Sequence, residues 1–379
     1  MKILIVRSLD TKFDSRVLKE SISLLKKGHE VSILDWDRDN KHGIVASTFP
    51  TQFGVIKKFT FGHRAVPDSG FKKNLFPYIK FFGAIRKFVR CHFSEFNVFH
   101  LCDLPTMLPL VKILKKREKK IVYDIFDYFP DGRKWPAIVR KLLVKLENRN
   151  IKMADATIIC SENRLKQIGK AIPKKLVIIH NSPDICATFD DKPNSRNKSD
   201  HISVAYLGLL SKDRYIPEII NIVKNNPRLE LHIGGVGALE KFVCKEAANE
   251  SRITYYGKLP YEEVINIENR CDIILALYDS SIPNNRYSAP NKFYESLALG
   301  KMLVMAKGMG FDDFFAKQEF GVTIEPTEYG INSGISTLVS KEAKWAEFSK
   351  TEKIMFNEKY SWKIMEERLW LLYDELSLI

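Results

Sequence analysis

Residues 286–300, RYSAPNKFYESLALG, place a proline, a lysine, a glutamate and a glycine at spacings that suit one helix and its two ends. Pro290 fits a first helical position, where the N–H it lacks would have no partner in any case, and Gly300 fits the left-handed stop. A helix start offers free backbone N–H groups at its positive dipole end, which favours a bound phosphate. Lys292 adds a charge beside that end. Glu295 lies about a turn deeper, where a carboxylate can accept both hydroxyls of a ribose. Together these parts suit a nucleotide diphosphate. An ordinary capped helix with a solvated glutamate uses the same residues, and the segment alone does not separate the two readings.

The elements that must position this helix are legible as short apolar runs. In the first half they are KILIV (2–6), EVSIL (30–34), NVFHL (97–101), KIVYDI (120–125), ATIICS (156–161) and KLVIIHN (175–181). In the second half they are ISVAYLG (202–208), LELHIGG (229–235), RITYYG (252–257), DIILALY (272–278), KMLVMAK (301–307) and GVTIEP (321–326). Stretches such as DSRVLKESISLLKKG and EEVINIENR carry helical periodicity between them. Buried, non-alternating strands that alternate with helices imply parallel sheets with right-handed crossovers. The polar run DICATFDDKPNSRNKSD (184–200) reads as an interdomain linker. The expected architecture is therefore α/β: two doubly wound, Rossmann-like domains facing across a cleft. Residues 1–183 form the first domain, 201–358 the second, and 359–379 a packing helix that crosses back to the N-terminal domain.

A chain of 379 residues with 45% hydrophobic and 28% charged residues accommodates two such domains. No apolar run approaches the roughly 20 residues that span a bilayer. MKILIVRSLD reads as a first strand rather than a signal peptide. The six cysteines (91, 102, 160, 186, 244, 271) are scattered without a C-x-x-C pair, which argues against a structural zinc site or a disulfide framework and suits a reducing cytoplasm. The net charge of +14 is unevenly spread. Residues 1–200 carry 39 Lys and Arg against 21 Asp and Glu, a balance of +18, while residues 201–379 carry 21 against 25, a balance of −4. The basic half is expected to meet an anion: membrane phospholipid, a lipid-linked phosphate or nucleic acid.

Several blocks in order give the chain a resemblance over nearly its whole length. FDSRVLKESISLLKKGHEVSIL, NVFHLCDLPTMLPL, KKIVYDIFDYFPD, ADATIICSEN and VIIHNSPD precede the linker. VAYLGLLSKDR, LHIGGVG, ITYYGKLPYEEV, CDIILALY and APNKFYESLALGK follow it. In this order the blocks resemble family 4 retaining glycosyltransferases of GT-B fold, of the bacterial or archaeal surface-polysaccharide type. The resemblance implies a donor half in which Gly208 ends a strand, Arg214 is the principal phosphate ligand and Lys212 its neighbour. Arginine offers a planar fork to phosphate oxygens, and positive charge stabilises a departing diphosphate. Gly257 and Lys258 would meet the base, and Ser288, Pro290, Asn291 and Lys292 would flank Glu295. Gly234, Gly235 and Gly237 end a strand but do not form a dinucleotide fingerprint after the first one, so a dehydrogenase is poorly supported.

The chain departs from that family in two places. A pair of glutamates separated by seven residues is usual around this helix. Glu295 matches the second, but Tyr287 holds the place of the first. A histidine is often found near the transferred sugar, and here Phe126 takes its place in Asp124-Ile125-Phe126-Asp127. On the acceptor side Asp14, Arg16, Asp103 and Asp127 are candidates to orient or deprotonate a hydroxyl, together with Tyr287. Helix capping or a surface ion pair is the simpler role for each acidic one, and core satisfaction is the simpler role for His100.

The segment FKKNLFPYIKFFGAIRKFVRCHF (71–93) interleaves aromatics with Lys72, Lys73, Lys80, Arg86, Lys87 and Arg90. It would suit an anionic bilayer, although packing on the sheet with a solvated basic face is the favoured reading. No nucleic-acid module motif accompanies it. The resemblance implies transfer of a sugar, with retention and no obligatory metal or other cofactor, from a nucleotide-diphosphate sugar to a saccharide. A lipid-linked acceptor at the inner face of the plasma membrane, used in surface-polysaccharide synthesis, fits the basic half. A non-catalytic nucleotide-sugar or glycan-binding partner protein, or a nucleotide-sugar epimerase of the same fold, remain the alternatives.

Overall fold

The computed structural model describes residues 1–66, 70–133, 135–185 and 201–378, with the side chains of Phe13 and of residues 70–73 excepted. Most of the expected linker, and the side chains of Lys72 and Lys73, lie outside the described residues. The chain forms two compact units, Met1–His180 with Met365–Ile379, and Asn181–Ile364.

The strands of the first unit are β1 (Lys2–Val6), β2 (Glu30–Asp37), β3 (His42–Thr51), β4 (Gly54–Gly62), β5 (Val98–Cys102), β6 (Lys120–Ile125), β7 (Ala156–Ile159) and β8 (Leu176–Ile178). They lie in the order β3-β4-β2-β1-β5-β6-β7-β8. β1, β5, β6 and β7 are buried at nearly every position, which is why they read as continuous apolar runs. The expectation of purely parallel sheets fails at one edge, because β3 pairs antiparallel with β4. This hairpin escapes a search for buried runs, since β3 is exposed along nearly its whole length. Pro50 sits on that outer strand, where its missing donor is tolerated.

The helix Gly70–His92 packs Phe81, Ile85, Phe88 and Val89 into the core and leaves Leu75, Phe76 and Ile79 exposed. Trp36 stacks on Phe81 at 4.7 Å between ring centroids. The helix Trp362–Leu378 buries Met365, Leu369, Leu372, Tyr373 and Leu376. Polar ties hold it as well: Glu366 accepts from Ser23 Oγ at 2.9 Å and from Lys26 Nζ at 2.7 Å, and the Tyr373 hydroxyl meets His100 Nδ1 at 2.9 Å. His100 is fully buried and satisfied in the core, as its strand position implied.

The second unit contains β9 (Ile202–Leu207), β10 (Leu229–Gly234), β11 (Ile253–Tyr255), β12 (Ile273–Ala276), β13 (Met302–Ala306) and β14 (Gly321–Ile324). All pair in parallel in the order β11-β10-β9-β12-β13-β14. Chain direction across the sheet reverses at β9, and in such sheets the crevice beyond the carboxyl ends at that point receives ligands. Among the described residues no helix is long and apolar enough to cross a membrane.

The carboxyl ends of β9, β10 and β11 come together through glycines. The Gly208 N–H donates to the Gly234 carbonyl at 2.9 Å, and the Gly235 N–H to the Gly257 carbonyl at 2.7 Å. Gly235 has φ +131°, and a Cβ there would lie 1.7 Å from the Gly208 carbonyl oxygen. Gly257 has φ +68° with open space around it. Gly235→Ala should therefore cost backbone strain plus a clash that only a shift of β9 relieves, about 3 kcal/mol or more, and Gly257→Ala about 1 kcal/mol from strain alone. Thermal unfolding of the two variants should show that order, and equal melting temperatures would contradict it.

Candidate functional site

A pocket of about 340 Å³ opens beyond these strand ends, lined by Gly208, Gly234, Gly235, Lys258, Tyr261, Asn291, Lys292 and Glu295, with Leu207, Leu209, Val236, Leu259 and Val264. Its floor is the glycine-bearing ends of β9 and β10. Its wall comes from the helices Tyr261–Arg270 and Asn291–Leu299. Pro290 stands one residue outside the second helix, as its N-cap and not its first residue, with φ −61° and ψ 132°. Gly300 closes the helix in the left-handed conformation at φ +65°.

Glu295 is fully buried and is one of the residues that line the pocket. Tyr261 donates its hydroxyl to Glu295 Oε1 at 2.9 Å, and Lys292 donates to Oε2 at 2.9 Å. The same Lys292 ammonium lies 2.5 Å from Glu268 Oε1. Lys292 is itself buried, at 9% exposure, so one ammonium is held between two desolvated carboxylates. Burial pushes the Glu268 carboxyl up to about 8, against the pull of Lys292 and with the push of Glu295. Burial also works against the Lys292 charge, but the two glutamates outweigh it and hold the ammonium above its ordinary range. Lys292 therefore borders the pocket as the partner of two carboxylates, not as a free charge at the helix start. Tyr261 and Glu268 lie two turns apart on one helix face, which brings both to Glu295. The sequence reading missed Glu268. Its one signal was a carboxylate beside Ile265 on the core-facing side of an amphipathic helix.

Of the donor-side residues expected from the sequence, Gly208, Lys258, Asn291, Lys292 and Glu295 meet at this pocket, and Gly257 supports its floor through its carbonyl. Ser288 closes a local turn, its hydroxyl donating to the Asn285 carbonyl at 2.8 Å. Arg214 stands outside the pocket lining, with its guanidinium 3.9 Å from the centre of the Tyr278 ring. Its Nη1 is buried without a hydrogen-bond partner, with the neighbouring Asp213 carboxylate 3.4 Å away. Tyr278 is shifted upward by burial, an effect that the charges of Arg214 and Lys292 oppose. Tyr278 is thus a second residue that the sequence reading passed over. Lys212 is exposed, and Tyr287 is half-buried in the short turn Asn285–Tyr287 that precedes the helix.

In the first unit the acceptor-side candidates form a network of ion pairs at the ends of β1, β5 and β6. Asp14 caps the helix Ser15–Lys26 by accepting from the Val17 N–H at 3.2 Å, and it pairs with Arg7 at 2.8 Å. Asp103, at φ +65°, pairs with Arg7 and accepts from the backbone N–H groups of Phe126 and Asp127 at 2.8 and 3.1 Å. Burial pushes the Asp103 carboxyl up to about 6, against the nearby Arg7 charge. Arg16 is buried, pairing with Glu20 at 3.1 Å and Asp124 at 3.0 Å and donating to the Ile179 carbonyl at 2.7 Å. Asp127 is exposed. Phe126 lies under two guanidinium groups, with Arg7 4.2 Å and Arg16 4.8 Å from its ring centre. Glu20, His100 and Asp124 have ligand atoms within 4.8 Å of one another, but Arg16 already pairs with both carboxylates, so the cluster contains its own cation.

In fold the chain is similar to sucrose-phosphate synthase from Thermosynechococcus elongatus, at a TM-score of 0.73 and 12% identity with both chains covered in full. It is similar to HepE of Anabaena in complex with UDP, at a TM-score of 0.68 and 14% identity, again with both covered in full. The apo form of the lipopolysaccharide outer core galactosyltransferase WaaB matches at a TM-score of 0.63 and 14% identity, over 99% of this chain and 100% of that one. These likenesses define the class: the protein has the GT-B fold. Residues 216–364, within the second unit that holds the pocket, match the family model described as Glycosyl transferase-like. A sequence comparison with curated proteins finds no match.

The buried pair of carboxylates makes a pH prediction. Glu268 ionises near its ordinary value when unfolded and near 8 when folded, so the folded state holds the extra proton between these limits. Its contribution to stability is therefore fully present at low pH and is lost as the pH rises toward 8. Glu268→Gln carries no such proton. Its stability relative to the wild type should rise from pH 5 to pH 8, by on the order of a few kcal/mol, and level off above. Denaturant unfolding across that range reads the difference, and a constant offset would mean that Glu268 is ionised throughout.

Proposed function

We propose that the protein transfers a sugar from a nucleotide-diphosphate sugar to a saccharide acceptor, and that the pocket of the second unit receives the nucleotide. The observation that carries this reading is Glu295: a carboxylate removed from solvent and fixed by Tyr261 and Lys292, on a residue that lines a glycine-floored pocket beyond parallel strand ends. A carboxylate so held can accept the two hydroxyls of a ribose without reorganising, which is the condition for tight polar recognition. HepE, of similar fold, has been solved with UDP and with UDP-glucose. Arg214 and the backbone at Asn291 are then the groups that meet the diphosphate, with Gly257 and Lys258 at the base, and the positive charge stabilises the diphosphate as it leaves without an obligatory metal. Retention at the sugar carbon, a lipid-linked acceptor and a role in surface-polysaccharide synthesis complete the reading and rest on the sequence resemblance. Product analysis separates it from its alternatives: glycosylated acceptor supports transfer, an isomerised donor would indicate an epimerase, and no turnover a binding protein.

Glu295→Ala removes both proposed ribose acceptors and should weaken UDP binding by about 2 kcal/mol or more, roughly thirtyfold. Calorimetric titration of the folded variant decides it, and an unchanged Kd would remove the ribose assignment. Arg214→Ala should lower kcat about a hundredfold or more, the scale seen when one donor to a developing anion is lost, with little change in melting temperature. In the same assay EDTA should leave the wild type unaffected. Full activity of the variant would place diphosphate stabilisation elsewhere.

A further inference from the structure

The helix Ala137–Met153 begins unusually for a helix of a globular unit. Residues 136–142 are all exposed, so its first turns have no buried face. Ile138 is 85% exposed, Leu142 58% and Val139 37%, and deep burial begins only at Glu147. Trp135 immediately precedes this stretch, half-buried, with its ring centre 5.9 Å from that of Phe129.

The charges of the same stretch are of one sign at the surface. Arg133, Arg140, Lys141, Lys145, Arg149 and Lys152 are exposed. The acidic residues between 131 and 153 are Asp131 and Glu147, and both are buried. Asp131 pairs with Arg140 at 2.6 Å, and Glu147 accepts from the Tyr123 hydroxyl at 2.6 Å. The helix Leu104–Lys115 packs against both this helix and Gly70–His92. In Gly70–His92, Phe76, Ile79 and Lys80 are exposed as well.

We propose that residues 135–145, with Arg133, dock the first unit on an anionic lipid bilayer, with Ile138, Val139 and Leu142 entering the headgroup boundary and the exposed Arg140, Lys141 and Lys145 side chains reaching the lipid phosphates. A bilayer meets both halves of the observation. Aliphatic tips gain by leaving water, and long cationic side chains extend back to the headgroups from the same helix. A second copy of the chain would present the same cations and be repelled, and single-stranded nucleic acid would call for aromatic stacking platforms that the exposed helix turns lack. This surface differs from the 71–93 segment singled out in the sequence, most of whose apolar side chains are spent on the core. The inference deepens the proposed transfer, because it places the acceptor among membrane lipids. It is read without turnover, so its failure and the failure of the donor reading are distinguishable.

The test uses the full chain and sedimentation with vesicles of phosphatidylglycerol and phosphatidylcholine, compared with phosphatidylcholine alone. The wild type should bind only the acidic vesicles and lose binding as salt rises. Ile138→Ser combined with Leu142→Ser should reduce binding at least tenfold, and Lys141→Gln with Lys145→Gln should reduce both binding and its salt dependence. UDP affinity and melting temperature should stay at wild-type values in both, since all four side chains are exposed. Wild-type failure to bind acidic vesicles at low salt would overturn the proposal. So would equal binding by the Ile138 and Leu142 double variant. Sedimentation velocity without lipid is the remaining check: a wild-type dimer abolished by the same pair of changes would assign the patch to a second copy and also overturn it.

Discussion

The ammonium of Lys292 between Glu268 and Glu295 is the interaction on which the pocket depends. Three ionisable side chains share a space largely removed from water, and such an arrangement is rarely favourable for stability in itself; apolar side chains of similar volume would join the two helices as well or better. What the charges provide is direction. The two oxygens of Glu295 are each met by one partner, Tyr261 and Lys292, at the edge of the pocket that the residue lines. An apolar contact would hold the helices equally well but could not present an oriented acceptor. The glycine-bearing ends of β9 and β10 complete the arrangement by keeping side chains out of the space that the carboxylate faces.

The two sheets use the same topology for different ends. Each places β1 or β9 at the point where the order turns, and each gathers polar groups beyond the carboxyl ends of its strands. In the second unit those ends are stripped to glycine and leave room. In the first they are filled: Arg7, Arg16, Asp14, Asp103 and Phe126 pack into a stack of guanidinium groups, carboxylates and one aromatic ring. Asp103 holds a backbone conformation that ordinary side chains avoid, and the hydrogen bonds it accepts from Phe126 and Asp127 tie the end of β5 to the turn after β6. Phe126, in the position where a histidine would be expected, offers its ring to both arginines.

Most of the fold was legible because parallel strands are buried on both faces and so appear as uninterrupted apolar runs; all of those named from the sequence correspond to strands. The hairpin β3–β4 was not, because an exposed edge strand has no buried face to pattern its sequence. At the pocket, Glu295 and Gly208 were readable from local spacing and order. Glu268 and Tyr278 were not, since each acquires its role from a neighbour remote in sequence, and a lone carboxylate on an amphipathic helix gives no local sign of its partner. Lys292 lines the pocket, where its place near the helix start put it, but its pairing with two glutamates was likewise not legible from local spacing.

The first unit is discontinuous in sequence, and that has a consequence for how the protein is made. His100, at the centre of its sheet, finds its tyrosine partner at residue 373, and Ser23 finds Glu366. While the ribosome is still translating the second unit, the first lacks the helix that meets Ser23, Lys26 and His100. An emerging chain must therefore carry an uncapped apolar face through the synthesis of nearly two hundred further residues, roughly ten to forty seconds at ordinary elongation rates. The second unit, continuous from Asn181 to Ile364, can close as soon as its last strand and helices leave the tunnel. The unit begun first is thus the one completed last, and chaperone dependence during biosynthesis is expected to fall on it.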